Sequence, residues 1–380
     1  MNILVVNYRD RMHPAAGGAE KHLHRIFSQI VESGHKVVLL TTAFAGCKPR
    51  ETVDGIEVIR KGGDLLFQLT VAMNIRKLDR EFNFDVVVED LNKLPLFTPF
   101  LTKKPVVVQM HHLWRSSIFH EASFPIAFMV WAFERVIPWF YRKQPFVVVS
   151  PSTKYELEEI GIDEDRISVI YNGSDDVDPS QVEKSEEVPS TPYFLWLSRV
   201  HRYKGIWTAL EAFEEFAENE NHPDVKLVVA GDGPLLKKIP AWLKERGLTE
   251  RVELLGFVTP AKKRALLQKA VALLQTSYKE GWGLTVVEAA RLGTTTIASD
   301  VPGLRDSVRN GETGLLFPVG DFHTCASEMD RLYSDDDLRT RLSAAAKSYA
   351  GEFRWDIAAE KTLDLLQDAV IERQVGGGNE

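Results

Sequence analysis

The sequence predicts an α/β protein built from two Rossmann-like domains, each a parallel β-sheet covered by helices. Short apolar, β-branched runs recur along the chain and are mostly continuous, which is typical of strands buried on both faces. Stretches with helical spacing separate these runs, and such alternation indicates a doubly wound fold. A chain of 380 residues is long enough for more than one domain, since one core usually serves about 150 residues.

A polar, acidic stretch with few apolar residues predicts the domain boundary. We predict an N-terminal domain over residues 1–174, a linker over 175–191, a C-terminal domain over 192–354 and a final helix over 355–374. The predicted strands are 3–6, 36–42, 85–88, 105–109 and 146–149 before the linker, and 194–197, 226–230, 252–255, 271–274 and 295–298 after it. The predicted helices are 19–31, 207–217, 235–246, 260–269 and 284–292.

Composition excludes several classes of protein. The net charge of −8 argues against a broad nucleic-acid surface, so no nucleic-acid partner is expected. Cys47 and Cys325 stand outside any metal-binding or disulfide pattern, which fits a reducing cytoplasm. No basic region precedes the first apolar run, and no run of about 18 uncharged apolar residues exists, so neither a signal peptide nor a membrane span is predicted.

The segment KEGWGLTVVEAARLG at 279–293 predicts a ligand site. Gly281 and Gly283 form a tight turn before a helix, whose N-terminal N–H groups and dipole favour a diphosphate. Glu288 lies one helical turn after Leu284 and leans back toward that end, where it can reach a ribose. Glu280 in the loop can accept hydrogen bonds from sugar hydroxyls. The alternative is that Glu280 only partners the helix dipole and Glu288 is a solvated helix residue.

A basic loop follows the predicted strand 194–197. Arg199 and Lys204 lie there, at the carboxyl end of a strand where open α/β sheets bind ligands. Two cations can neutralise a diphosphate and stabilise it as a leaving group. The alternative is a solvated basic loop, since His201 and Arg202 lie in it too.

These motifs together resemble the retaining GT-B glycosyltransferases of family GT4, also called group 1. Glu280 and Glu288 match the family's spaced glutamate pair, with the GWGL turn between them. Further matches, in chain order, are Gly17–Gly18–Ala19–Glu20, Asn172–Gly173, Ser198–Arg199–Val200 with Lys204–Gly205, Ala230–Gly231–Asp232–Gly233–Pro234, and Asn310–Gly311–Glu312–Thr313–Gly314. The resemblance implies two facing Rossmann-like domains with a donor cleft between them and a C-terminal helix that crosses back to the N-terminal domain.

The resemblance also implies roles for individual residues. A functional histidine is expected after strand 105–109, where His111 is the better match and His112 the second. The expected catalytic residues are His111, Arg199, Lys204 and Glu280. The expected donor-binding residues are Gly17, Gly18, Arg199, Lys204, Gly281, Trp282, Gly283, Leu284, Thr285 and Glu288.

The expected reaction moves a hexosyl group from a UDP- or GDP-linked sugar to an acceptor hydroxyl with retention of configuration. The acceptor class stays open among glycans, lipid-linked precursors and small molecules. The alternatives are an epimerase or phosphorylase of the same fold, or a nucleotide-sugar-binding module without catalysis. No cofactor or metal is expected, because the family uses a helix dipole and basic residues instead. Asp176–Val177–Asp178 imitates a metal-binding motif, but it lies in the predicted linker.

Two segments remain outside these motifs. Residues 112–144 are rich in aromatic residues and carry basic residues at both ends. One interpretation is a membrane-interface or acceptor surface, on a cytoplasmic protein that is peripheral to the membrane. The other is a long helix packed into the core. The final helix carries an apolar face of Ile357, Leu363, Leu366 and Val370 that needs a packing partner.

Overall fold

The computed structural model describes residues 1–91, 94–175 and 187–376 and divides into two compact units. One unit comprises Met1–Gly173 with the C-terminal segment from Trp355, and the other comprises Ser174–Arg354. We call them the N-terminal and C-terminal domains. Residues 176–186, which make up most of the predicted linker, lie outside the described residues, as does the Asp176–Val177–Asp178 motif.

In the described part of the N-terminal domain, eight strands form one sheet with the order β3-β4-β2-β1-β5-β6-β7-β8. The strands are β1 (Asn2–Val6), β2 (Lys36–Thr41), β3 (Arg50–Val53), β4 (Ile56–Arg60), β5 (Val86–Asp90), β6 (Val106–Met110), β7 (Phe146–Val148) and β8 (Ile167–Val169). The helices are α1 (Gly18–Glu32), α2 (Phe67–Phe82), α3 (Ile118–Glu121), α4 (Phe124–Tyr141) and α5 (Pro151–Glu159). The strands pair in parallel except for the antiparallel β3–β4 pair.

The apolar runs become the centre of this sheet. Ile3, Val5 and Val86 are fully buried, as expected for strands covered by helices on both faces. The β3–β4 hairpin was not predicted, because β3 has the sequence RETV and lies half-exposed at the sheet edge. Because the strands run in parallel, the loops after β1, β5 and β6 meet at one edge of the sheet, where ligands usually bind.

Within the described residues, the C-terminal domain contains a six-stranded parallel sheet with the order β11-β10-β9-β12-β13-β14. Its strands are β9 (Tyr193–Leu197), β10 (Lys226–Ala230), β11 (Val252–Gly256), β12 (Leu273–Gln275), β13 (Thr296–Ser299) and β14 (Gly314–Phe317). Its helices are α6 (Ile206–Ala217), α7 (Ile239–Glu245), α8 (Pro260–Lys269), α9 (Leu284–Arg291), α10 (Leu304–Ser307), α11 (Phe322–Ser334) and α12 (Asp336–Ala350). This strand order is that of a Rossmann fold, so the predicted pair of Rossmann-like domains is confirmed.

The last helix, α13 (Trp355–Gly376), packs against α1 and the strands β5 and β6 of the N-terminal domain. Its buried face agrees with the predicted one in part. Leu366 is buried and Leu363 and Val370 are half-buried, whereas Ile357 is exposed. Four smaller residues are buried beside Leu366, namely Ala358, Ala359, Thr362 and Ala369. The prediction from large apolar residues alone therefore missed these small residues.

The aromatic segment forms α3 and α4. Ala127, Ile137 and Tyr141 of α4 are buried against the domain core. Phe124, Phe128 and Trp139 are instead exposed, with 71%, 52% and 79% of their surfaces accessible. The expectation of a helix whose aromatic residues all pack into the core is therefore wrong for these positions.

Candidate functional site

The predicted site residues fall into two groups, one in each domain. Gly17, Gly18 and His111 belong to the N-terminal domain. Arg199, Lys204, Glu288 and the segment from Glu280 to Thr285 belong to the C-terminal domain.

Lys204 and Glu280 form the central contact of the C-terminal group. The Lys204 Nζ lies 2.7 Å from both carboxylate oxygens of Glu280, and the side chains are only 10% and 16% exposed. Gln275, the last residue of β12, donates to Glu280 Oε1 at 3.2 Å. The carboxylate is thus held by one donor from the loop after β9 and one from the end of β12, both at the carboxyl edge of the sheet.

Close backbone packing fixes the loop that carries Lys204. Gly205 has a φ of +68°, and a Cβ there would lie 1.9 Å from the carbonyl oxygen of Thr276. The Thr276 hydroxyl donates to the carbonyl oxygens of Lys204 and Gly205 at 3.2 and 2.7 Å. Only glycine permits this approach, so glycine is required after Lys204 by the backbone geometry, in addition to the chemical role of the lysine.

Tyr203 joins the two cations of the basic loop. Arg199 Nη2 donates to the Tyr203 hydroxyl at 2.5 Å, and Lys204 Nζ lies 5.1 Å from the centre of the ring. The sequence reasoning missed Tyr203. Tyr203 could have been predicted from its position next to Lys204 in the sequence, because aromatic faces attract cations.

The glycine turn leads into α9 as predicted. Gly283 is the residue before the helix and has a φ of +85°, which favours glycine. Leu284 and Thr285 are the first two helical residues, so their N–H groups lie at the positive end of the helix dipole. Trp282 is buried and packs edge-to-face on Phe353 with ring centres 4.9 Å apart. The geometry therefore gives Trp282 a packing role, and its predicted contact with a donor stays a prediction.

Gly281 is held by a second glycine. Gly303 has a φ of +84°, and a Cβ there would lie 2.5 Å from both the Glu280 carbonyl oxygen and the Gly281 carbonyl carbon. The turn that carries Glu280 thus rests directly on the backbone at Gly303, a residue that the sequence motif did not single out.

Glu288 lies on the first half of α9, and its carboxylate is paired. The Lys263 Nζ of α8 lies 2.9 Å from both of its oxygens, and the Glu288 side chain is 14% exposed. Glu288 is therefore not the solvated helix residue of the alternative interpretation. Lys263 was missed because nothing in its local sequence connects it to a residue 25 positions away.

In the N-terminal group, Gly17 precedes α1 and Gly18 begins it. The Gly17 N–H donates to Glu20 Oε2 at 2.6 Å, closing the first turn of the helix. Burial raises the pKa of the Glu20 carboxyl, although hydrogen bonds from the backbone N–H groups of Gly17 and Glu20 oppose the shift.

His111 follows β6 and is nearly buried. Its Nε2 lies 3.2 Å from Asp90 Oδ1 at the end of β5, and its carbonyl oxygen accepts from the Thr153 hydroxyl at 3.3 Å. Burial lowers the pKa of His111, but the charge and hydrogen bond of Asp90, with the charge of Glu20, outweigh it, so the net shift is upward. His112 is more exposed and packs against Trp114 with ring centres 5.1 Å apart.

The expected absence of a metal site and of a membrane span stays a prediction. Within the described ranges, no group of three or more His, Cys, Asp or Glu side chains is placed to hold a metal ion. Likewise, no described helix is both long and apolar enough to cross a membrane.

Two family models cover most of the chain. The description "Glycosyltransferase Family 4" matches residues 16–178, and "Glycosyl transferases group 1" matches residues 177–349. The first match contains Gly17, Gly18 and His111, and the second contains the basic loop and the Glu280 segment.

Two relatives are named as a glycosyltransferase and a glycogen synthase. The chain is 30% identical over 186 residues to the D-inositol 3-phosphate glycosyltransferase of Corynebacterium diphtheriae, which covers 48% of this chain and 43% of that protein. The chain thus matches less than half the length of that relative. It is 26% identical to the glycogen synthase of Mycobacterium tuberculosis over 96% of this chain and 94% of that one.

Solved structures share the fold at low identity. Sucrose-phosphate synthase from Thermosynechococcus elongatus superposes with a TM-score of 0.81 at 20% identity, covering 97% of this chain and 98% of that chain. HepE from Anabaena, in a complex with UDP-glucose, gives a TM-score of 0.77 at 19% identity, covering 97% of this chain and 100% of that one. The fold class is therefore GT-B, and the chain belongs to the group 1, or family 4, glycosyltransferases.

Proposed function

We propose that this protein transfers a hexosyl group from a nucleoside-diphosphate sugar to an acceptor hydroxyl, with retention of configuration. The bidentate Lys204–Glu280 pair beside the N-terminus of α9 carries the proposal, because it places a cation, a sugar-binding carboxylate and a positive helix end together. UDP-glucose is the first donor to test, since HepE binds it.

In the proposed reaction, Arg199, Lys204 and the N–H groups at Leu284 and Thr285 stabilise the charge that develops on the departing diphosphate. Lys204 leaves one oxygen of Glu280 for the donor phosphate, and Glu280 then accepts hydrogen bonds from the sugar. Glu288 accepts from the ribose hydroxyls while keeping its contact with Lys263. The sugar bond to the leaving oxygen breaks as the acceptor oxygen forms a bond on the same face, and the leaving phosphate takes the acceptor proton.

His111 of the N-terminal domain is proposed to contact the donor sugar. The glycines Gly17 and Gly18 are proposed to let the backbone approach the donor or the acceptor. No catalytic metal ion enters this proposal, because basic side chains and a helix end supply the positive charge. Activity that is lost with EDTA and regained with manganese or magnesium would contradict it.

Incubation with UDP- and GDP-sugars and candidate acceptors tests the reaction. NMR of the product gives the anomeric configuration, which retention requires to equal that of the donor. Altered sugar released without an acceptor would indicate an epimerase, and sugar phosphate formed from a glycan and phosphate would indicate a phosphorylase. Binding without any product would indicate a non-catalytic module. A thermal-shift screen narrows the donor first, because a ligand at 100 times its dissociation constant adds about 2.7 kcal/mol of stability.

We also propose that the acceptor is presented at a membrane surface. The exposed side chains of Phe124, Phe128 and Trp139 on α4 carry this proposal, because they are large and apolar. The exposed cations Arg142 and Lys143 follow at the end of the same helix. Such a combination binds the interface of anionic membranes. A lipid-linked acceptor would fit this surface, whereas a protein that binds no membrane would use a soluble glycan or small molecule.

A further inference from the structure

His22 lies on α1 behind His111 and has no role in the reaction described above. It is 2% exposed, and its Nδ1 lies 2.5 Å from Asn172 Oδ1. An amide oxygen only accepts hydrogen bonds, so His22 Nδ1 carries the proton and the ring has a fixed tautomer.

The His22 ring packs directly on His111. The two rings meet edge-to-face at 88° with centres 4.9 Å apart. On another side, His22 contacts the Trp355 ring, with centres 6.1 Å apart. His111 is therefore bounded by His22 on α1 and by Asp90 on β5, which accepts from Nε2.

His22 itself is poorly suited to acid–base chemistry. Burial, and then the nearby charge of His111, lower the pKa of His22 to about 3. The ring is therefore neutral near neutral pH and acts through its shape and its single N–H group.

Two contacts of His22, Asn172 and Trp355, lie next to the points where the chain leaves and re-enters the N-terminal domain. Asn172 stands two positions before Ser174, where the C-terminal domain begins, and Trp355 is the first residue after that domain ends. One buried ring thus touches both of these segments and the proposed functional histidine.

We propose that His22 is a positioning residue: held by Asn172 and Trp355, it fixes the ring of His111 so that Nε2 points to Asp90 and Nδ1 is presented to the substrate. The proposal rests on the proposed function only where it concerns turnover, since the ring orientation can be measured without substrate.

The test compares His22→Ala with His24→Ala. His24 is a matched control, because it is also buried on α1 and hydrogen-bonded, but its partner is Asp54 at 3.0 Å. Ring ¹⁵N shifts of His111 are measured in histidine-labelled full-length protein at a pH above the His111 pKa. We expect an Nε2–H tautomer in the wild type and in His24→Ala, and an average of two tautomers in His22→Ala.

Turnover gives the second measurement. Misplaced catalytic groups lower rates strongly, so His22→Ala should reduce kcat by about ten-fold or more with nucleotide affinity unchanged. Asn172→Ala should reproduce this loss, and Asn172→Asp, which keeps an acceptor for His22 Nδ1, should restore most of it. A His111 tautomer and a kcat in His22→Ala equal to those in His24→Ala would overturn the proposal.

The two proposals fail separately. In one outcome, neither the wild type nor any variant transfers sugar, but the single Nε2–H tautomer of His111 is lost in His22→Ala and Asn172→Ala and kept in His24→Ala. The positioning role then stands and the proposed reaction is wrong. If transfer occurs and the tautomer is unchanged in those variants, the reaction stands and the positioning role is wrong.

Discussion

Lys204 Nζ donates to both oxygens of Glu280 at 2.7 Å, although the two residues are 76 positions apart in the sequence. The pair is nearly buried, and Gly205 and Gly303 hold the backbone on either side of it. Removal of either partner leaves a poorly solvated charge, so effects on stability have to be separated from effects on catalysis.

The first prediction concerns this pair. Lys204→Ala should lower kcat at least a hundred-fold, because the variant loses a cation where the diphosphate gains charge. It should also lower the free energy of unfolding by about 1–3 kcal/mol, since the Glu280 carboxylate loses its partner. Steady-state kinetics and urea unfolding measure the two effects.

Lys154→Ala is the control for this prediction. Lys154 makes an ion pair of the same 2.7 Å length with Glu164, but that partner is 77% exposed. The control should change neither measurement greatly, since exposed ion pairs contribute little to stability. Wild-type turnover in a folded Lys204→Ala variant would remove Lys204 from the reaction.

The second prediction concerns the ribose. Glu288→Gln should weaken nucleotide affinity about ten- to hundred-fold, because a charge-assisted hydrogen bond of about 1.5–3 kcal/mol becomes a neutral one. Isothermal titration calorimetry with UDP and GDP measures the change. Glu214→Gln serves as a control, since Glu214 pairs with Arg246 at 3.2 Å in the same domain but lies outside the proposed site. Equal affinities in both variants would exclude Glu288 from nucleotide binding.

The third prediction separates a backbone contact from backbone strain. Gly303 and Gly293 both have a φ of +84°, where an L side chain is strained, so alanine at either position lowers stability. Only at Gly303 would the new Cβ press on the turn of Glu280 and Gly281, because nothing lies within 4 Å of a Cβ at Gly293. Both variants should therefore lose stability, but only Gly303→Ala should lose donor affinity and turnover. If the two variants have equal donor affinity and turnover, the position of the Glu280 turn is not required for the reaction.

The fourth prediction is a dependence on pH. Because the fold raises the pKa of His111, the protonated ring adds stability below the ordinary histidine pKa of about 6.5, and this stability is lost as the pH rises through the raised value. Asp90→Asn removes the charge responsible. The difference in Tm between the wild type and Asp90→Asn should therefore be largest in mild acid and shrink in mild alkali. A difference that grows with pH would contradict the assignment of the shift to Asp90.

The features that could be predicted from the sequence are those that depend on a local pattern of residues. Most of the strands, the glycine turn before Leu284 and the basic loop after β9 were visible, because continuous apolar runs and glycines act within a few residues. The strands β3, β4, β8 and β14 were not predicted. The partners of the site residues were not visible. Lys263 reaches Glu288, and Gly303 supports Gly281, only because the fold brings distant segments together. The α13 face was predicted only in part, because Leu366 is buried as expected but Ile357 is exposed and smaller residues such as Ala358 are buried.

The last prediction concerns membrane binding through α4. Trp139 is 79% exposed, and its apolar body can enter the interface while the helix stays on the domain surface. Replacement of Trp139 and Phe124 by serine should reduce the fraction of protein that floats with anionic vesicles, and Arg142→Gln with Lys143→Gln should reduce its dependence on salt. Phe257→Ser is the matched control, because Phe257 is 84% exposed but lies in the C-terminal domain. If the wild type floats with neither anionic nor neutral vesicles at low salt, the exposed aromatic residues of α4 do not bind membranes, and a soluble acceptor is favoured.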